Sequence, residues 1–341
     1  MKENKLKIRI KKSIDKVYDE TFSTPLKRSV AMTKFVDFCV ALIKYVILYG
    51  LAFIILYPLI QQIAIALRAP EDLNNPMVLW IPEKFSLKNF EIAMILLDYW
   101  NALKSTLLMS FGAMLLQVIS TALAGYTLAR LKFKGTGLIF ILVVFTIIVP
   151  QSTIELPLKI SLTNFLNMKI NLLGNPVSLF LFSGLGMGIK SGIFIYLFRQ
   201  FFRGIPEELE EAAYVDGANA FQVFYKVMLP NAKGILLTVA ILAFVWQWND
   251  SYFTSVFVTN ANNALQTLTT KMLGISGNMQ SAVTQAGVWQ LFDQDVTKNP
   301  LFTSMLLNTA GILTMLPLLV LYFFLQKKLF TEGIERSGIV G

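Results

Sequence analysis

The side chains that could do chemistry fall into two groups. Glu207, Glu208, Glu210, Glu211 and Asp216 crowd into one polar loop, and Lys44, Glu155, Lys159, Lys190 and Asp250 stand isolated in apolar surroundings. The sequence holds no histidine and a single cysteine, Cys39. His-based triads, His-ligated zinc and haem, Cys metal clusters and disulfide frameworks are therefore excluded. A hydrolase or oxidoreductase would have to work with carboxylates and lysines alone. The run Gly184-Leu185-Gly186-Met187-Gly188-Ile189-Lys190-Ser191 resembles a phosphate-binding loop, but that pattern needs glycine where Ile189 stands, and an apolar stretch surrounds it. No catalytic residue and no metal ligand is assigned, and any ATP site belongs to another chain.

The elements that would position these residues follow from composition. Of 341 residues, 55% are hydrophobic and 15% charged, too few charges to coat a soluble domain of this size. Apolar segments near 38–67, 104–128, 137–160, 177–202, 234–259 and 303–326 each reach the roughly 20 residues that cross about 30 Å of hydrocarbon. The expectation is an all-α integral membrane protein with six transmembrane helices. It comprises a basic tail (1–37), a membrane domain (38–326) and a C-terminal tail (327–341). Placing 1–37, 129–136, 199–233 and 327–341 inside gives that side twenty of the thirty Lys and Arg residues, so both termini are expected to be cytoplasmic. The net charge of +9 then marks loops facing anionic lipid rather than a nucleic-acid partner.

Several features bear on how the segments work. Pro150 and Pro157 are expected to kink the third. Gly184, Gly188 and Gly192, spaced i, i+4, i+8, form a small-residue stripe for close packing in the fourth. Lys190 is expected to pair with Glu155 or Asp250, to line the solute path, or to snorkel. In the fifth, Trp246, Trp248, Asn249 and Asp250 fit either a substrate path, with aromatic faces for stacking and polar groups for hydroxyls, or an interfacial aromatic belt. Outside loops 68–103 (Pro70, Pro76, Trp80, Pro82, Trp100) and 260–302 (Trp289) are long enough to predict partly helical caps that meet an external partner.

The most informative stretch is the loop 203–233. Pro206 suits a first helical position, Glu207, Glu208, Glu210 and Glu211 suit a helix N-terminus, and Asp216-Gly217 is a stop. A second helix should run over 218–228, with Phe221, Phe224 and Val227 on one face, and end at Pro230. Such a short acidic, apolar-faced pair could rest on a basic groove of another protein or lie at the membrane interface.

Glu211-Ala212-Ala213, Gly217, Val227 and Leu229-Pro230 stand at the spacing of the EAA loop, with Val for the usual Ile. In this the chain resembles the inner-membrane permeases of ABC importers. Phe198-Arg199-Gln200-Phe201-Phe202, Ile205-Pro206 and Trp248-Asn249-Asp250 are similar to carbohydrate-importer permeases, and to the shorter, MalG-like partner of the maltose-type pair, over roughly residues 38–341. Phe330, Gly333, Gly338 and Gly341 look like that subunit's tail, which in the family reaches into the ATPase dimer.

The resemblance implies a type I ABC importer permease fold in a bacterial or archaeal plasma membrane. It implies a coupling role for Pro206, Glu207, Glu208, Glu211, Ala212, Ala213, Asp216, Gly217, Ala218, Phe221, Leu229 and Pro230. It also implies a homologous second permease, two ATPase subunits carrying ATP and Mg, a solute-binding protein outside, and a sugar or oligosaccharide substrate. The alternatives are an importer of peptides, amino acids or phosphate, or a stand-alone secondary transporter coupled through Glu155, Lys190 or Asp250.

Overall fold

A computed structural model describes residues 24–69, 82–131, 133–164, 170–257, 266–277, 279–286 and 299–337. Pro70, Pro76, Trp80, Trp289, Gly338, Gly341 and most of the tail 1–37 lie outside them. The described residues are mostly helical, and an isolated bridge pairs Arg68 with Phe85. The chain divides into two units, Met1–Ile63 and Ala64–Gly341.

The first unit holds most of α1 (Pro25–Ala66), 42 residues or roughly 63 Å of helix, twice the thickness of a bilayer core. Phe38, Ile43, Tyr49 and Ile55 are all exposed along its length, so its apolar surface suits lipid. The expected tail boundary at 37 is not a structural one, because the helix starts at Pro25 and runs through it. An amphipathic or polar first turn can leave a bilayer without breaking its hydrogen bonds. Cys39, a candidate buried residue by type, is half-buried on this helix.

In the second unit, α2 (Lys88–Leu97) meets α3 (Tyr99–Arg130) at Asp98, whose φ of 46° turns the chain. Helix α3 runs unbroken for 32 residues and contributes to all three hydrophobic clusters of the unit. Tyr99 and Ala102 pack with Trp248, Phe302 and Met305; Met109 and Ala113 pack with Leu162 and Leu179; Ala122 and Tyr126 pack with Phe198, Phe202 and Met228. At Gly125 the helix that carries Phe198 comes so near that an added Cβ would sit 2.5 Å from the Phe198 Cβ.

The remaining apolar segments are broken, which hydropathy alone does not reveal. The third is α4 (Thr136–Ile148) and α5 (Gln151–Thr163), bent by 109°. Val149 and Pro150 are both extended, as proline demands of itself and its predecessor. Pro157 causes no break inside α5. The fourth is α6 (Pro176–Gly184) and α7 (Ser191–Arg203), interrupted by left-handed Gly186 and Lys190. The glycine stripe is therefore not a face of one helix. Gly192 does allow close packing, with Val143 O 3.1 Å from where its Cβ would be, whereas Gly184 faces open space.

The loop 203–233 carries α8 (Glu208–Val215) and α9 (Ala220–Asn231), and α9 meets α10 (Lys233–Asn249) at 82°. After a break at Asp250 and Ser251 come α11 (Tyr252–Phe257), α12 (Leu268–Gly277), α13 (Met279–Ala286) and α14 (Pro300–Ser337). Helices α12 and α13 give the described part of loop 260–302 the helical content expected of it. Helix α14 passes the expected boundary at 326 without interruption. Among the described residues, three helices are long and apolar enough to cross a bilayer singly, and up to five spans result if each bent pair counts as one.

Candidate functional site

The loop is built by local capping. The Glu207 carbonyl accepts from the Glu210 and Glu211 amides at 3.0 and 3.1 Å and starts α8, so Pro206 precedes the helix instead of opening it. Glu208, Glu210 and Glu211 lie in its first turn, where the helix dipole favours anions. At the other end Ala218 N donates to Ala213 O and Gly217 N to Tyr214 O, both at 3.0 Å. This closure needs a left-handed residue, and Gly217 supplies φ 83°. Asn219 and Gln222 then form a reciprocal capping box at 2.9 Å that starts α9.

Residues Phe224–Met228 form a π-helical turn, which rotates the expected face. Val223, Phe224 and Met228 are buried, whereas Phe221 and Tyr225 point outward. Pro230 lies within α9, and the turn comes after it, at Ala232. The outer surface thus presents Leu209, Tyr214, Val215, Phe221 and Tyr225 beside exposed Glu207, Glu208, Glu211 and Asp216. Ala212 is exposed among them, while Ala213, Ala218 and Leu229 lean on the buried cluster.

The loop is fixed to the end of α3. Arg130, the last residue of that helix, donates through Nη2 to the Ile205 carbonyl, and its Nη1 lies 3.5 Å from Glu207 Oε1. Its Nε faces Glu210 Oε1 at 3.6 Å, both atoms buried and neither hydrogen-bonded. Burial pushes the Glu210 carboxyl above the usual carboxylate range; Arg130 pulls against this and Glu207 adds to it. One turn back, Tyr126 packs on Phe202 and Phe224, with ring centroids at 5.8 and 5.1 Å. Arg199 Nε donates to Leu128 O at 3.2 Å while its guanidinium lies over the Phe140 ring. Sequence reading gave neither Arg130 nor Glu210 a site role. Their signal was a basic residue closing a long helix and a carboxylate on the inner face of a short one.

The intramembrane residues take different partners from those expected. Glu155 pairs with Lys159 at 2.5 Å and accepts the Tyr252 hydroxyl, joining α5 to α11. Asp250 caps α11, its Oδ2 accepting from Thr254 N at 2.7 Å and its Oδ1 from Phe253 N at 3.2 Å. Neither carboxylate is paired with Lys190. Trp248 is buried and donates to the Thr314 carbonyl at 3.2 Å, Trp246 stacks on Phe194 at 5.3 Å, and exposed Asn249 bonds back to Val245 O. A cavity of about 480 Å³ lies between the breaks of the third and fourth segments, lined among others by Thr146, Pro157, Phe182, Lys190, Ser191 and, from α11, Phe253. In a membrane, irregular backbone is tolerated where it lines a cavity or is buried in protein.

Residues 122–331 match the family described as binding-protein-dependent transport system inner membrane component. The chain is 26% identical over 294 residues to the arabinooligosaccharides transport system permease protein AraQ of Halalkalibacterium halodurans, covering 85% of this chain and 93% of that one. It is 27% identical over 300 residues to the maltodextrin transport system permease protein MdxG of Bacillus subtilis, covering 87% and 95%. The melibiose/raffinose/stachyose import permease protein MelC of the same bacterium is 28% identical over 278 residues, covering 81% and 88%. Its fold is similar to a chain in the crystal structure of a bacterial ABC transporter involved in the import of the acidic polysaccharide alginate, with a TM-score of 0.63 at 20% identity over 86% of this chain and 97% of that one. With the match spanning both the capped loop and the broken helices around the cavity, this multi-pass membrane protein belongs to the inner membrane component family of binding-protein-dependent transport systems.

Proposed function

We propose that this chain is the permease subunit of an ATP-driven, binding-protein-dependent importer of sugars or oligosaccharides. The observation that carries the reading is the loop 203–233. Its inner face is packed and clasped to α3, and its outer face shows large apolar side chains among carboxylates, a surface suited to a cleft in another protein. The relatives named for arabinooligosaccharides, maltodextrin and melibiose/raffinose/stachyose support the substrate class.

On this reading the chain forms half of the pathway in a plasma or inner membrane, with six spans and both termini cytoplasmic. A homologous permease supplies the other half. Two ATPase subunits bind ATP and Mg and dock on Pro206–Pro230, and a solute-binding protein delivers sugar to the outer face. ATP-driven closure draws the two coupling loops together and opens the pathway outward; hydrolysis resets it. The chain itself is not an enzyme. The cavity between the breaks of the third and fourth segments, with Lys190 on its wall, belongs to the solute path, whereas Glu155, Trp248 and Asp250 shape that path by holding helices in place.

A mild-detergent pull-down of the tagged chain from native membranes tests this. Recovery of a second permease and a Walker-motif ATPase is expected. A homo-oligomer without ATPase that takes up solute in an ion gradient would overturn it in favour of a stand-alone carrier.

A further inference from the structure

A coupling loop must hand its displacement to the helices that line the pathway, and the described contacts leave few rigid routes. Helix α3 is the one element that touches the loop, all three hydrophobic clusters and the break in the fourth segment. Its end is gripped by the loop through Arg130, whose side chain is only 6% exposed. Its middle carries Gln117, which bonds Ile189 O at 2.6 Å and Ser191 Oγ at 2.8 Å, on either side of Lys190 at the cavity. Ser120, a turn further on, donates to Ser183 O at 2.7 Å.

We propose that Arg130, clasping Ile205, Glu207 and Glu210, is the positioning residue that makes loop and α3 move as one body, so that nucleotide-driven motion at the loop reaches the cavity through Gln117. The geometry suits a joint more than a weld. The Arg130–Glu210 contact is a buried ion pair 3.6 Å apart that has not closed into a hydrogen bond. A guanidinium offers five donors in a planar fork, so one side chain can hold a carbonyl and two carboxylates at once. Removing the Arg130 charge leaves the Glu210 carboxylate buried without its counterion, which is costly, whereas removing the Glu210 charge leaves Arg130 held only by Ile205 and the exposed Glu207. The proposal rests on the coupling reading of the loop.

The test follows the cavity without needing the solute. In the complete complex, purified with its partner subunits and reconstituted in lipid nanodiscs, Cys39→Ser removes the native thiol. Met187→Cys then places a probe on an exposed residue of the cavity wall. With Arg130 intact, a non-hydrolysable ATP analogue with Mg should change the maleimide labelling rate by about 5-fold or more. In Arg130→Gln and Glu210→Gln the ATPase subunits should remain bound while that response collapses, and Arg130→Lys should restore part of it. The double variant should be no worse than either single one, since both remove the same joint. A response equal to the parent's in Arg130→Gln or in Glu210→Gln would overturn the proposal; if Arg130→Gln fails to assemble, Glu210→Gln decides alone. No nucleotide response in the parent itself would overturn the coupling reading and the joint with it.

Discussion

Gln117 Nε2 lies 2.8 Å from the Ser191 hydroxyl and 2.6 Å from the Ile189 carbonyl, so a buried amide on the unbroken helix α3 satisfies the interrupted backbone of the fourth segment. Where a helix breaks inside a bilayer, freed carbonyls lack water, and a neighbouring side chain must take its place. The break at 185–190 is in this sense made jointly by two elements far apart in sequence.

Gln117→Leu should therefore destabilise the subunit more than Ser191→Ala. The first removes two bonds, to the partly buried Ile189 carbonyl and to the Ser191 hydroxyl, each of about 0.5–1.5 kcal/mol, whereas the second removes only one. Thermal unfolding of the two variants in one detergent checks this ordering, and equal midpoints would show that the amide does not support the break.

Gly217 is the second such position. Its φ of 83° closes α8, yet nothing lies within 4 Å of where a Cβ would be. The constraint is backbone conformation, so side-chain size should matter less than tolerance of the left-handed region. Gly217→Leu should cost about 1–2 kcal/mol locally and abolish uptake while the subunit stays in the membrane. Gly217→Asn, which adopts that conformation more readily, should retain much of it. Uptake in cells, normalised to membrane-inserted subunit, distinguishes them. Normal uptake by a stably expressed Leu variant would remove the loop from its coupling role.

Much of this was legible in the residues. The Asp216-Gly217 stop placed the end of α8 correctly because capping chemistry is local, whereas its start falls at Glu208 and not at Pro206, since the Glu207 carbonyl makes the first bonds. The face of α9 was misjudged because a π-helical turn over Phe224–Met228 shifts the register, and no periodicity of 3.6 anticipates it. The six apolar segments were visible, but not the depth of their breaks. Pro150 signalled one of them, whereas the break at Lys190 depends on a distant partner, Gln117, and the one at Asp250 on a cap that charge alone does not reveal. Asp250 and Glu155 looked like ion-pair candidates because a sequence shows charge without showing which amide or hydroxyl is nearest.

The raised titration of Glu210 has a definite sign. Its folded carboxyl binds a proton more tightly than the ordinary group at 4.5, so its contribution favours the docked loop fully below that value and is lost as pH rises through the folded value. Arg130 and Glu207 face it from α3 and from its own loop, with Tyr126 and Tyr214 nearby. Limited proteolysis of the loop across this window should show more cutting at higher pH, and Glu210→Gln, which cannot ionise, should flatten the profile. In Arg130→Gln the lowering influence is gone, so the same rise in cutting should move to higher pH. An unchanged profile in Glu210→Gln would mean another group sets it.

Asp250 offers the sharpest separation of a structural role from a solute-contacting one. Its carboxylate accepts from Thr254 N, Thr254 Oγ1 and Phe253 N, and its carbonyl accepts from Thr269 Oγ1 at 3.0 Å, tying α11 and α12 to the end of α10. These are the bonds of a helix N-cap, for which asparagine is nearly as good and alanine costs about 0.5–2 kcal/mol. Asp250→Asn keeps an acceptor for Thr254 and gives up the longer bond from Phe253 N, so it should cost less stability than Asp250→Ala and leave the substrate KM unchanged. Asp250→Ala should lower the unfolding midpoint and reduce uptake only in proportion to the folded subunit recovered. The comparison is made on purified complexes with the same binding protein. A raised KM in Asp250→Asn at unchanged stability would instead place the carboxylate against the solute, because only a direct contact distinguishes the charge from its isosteric amide once the cap is preserved.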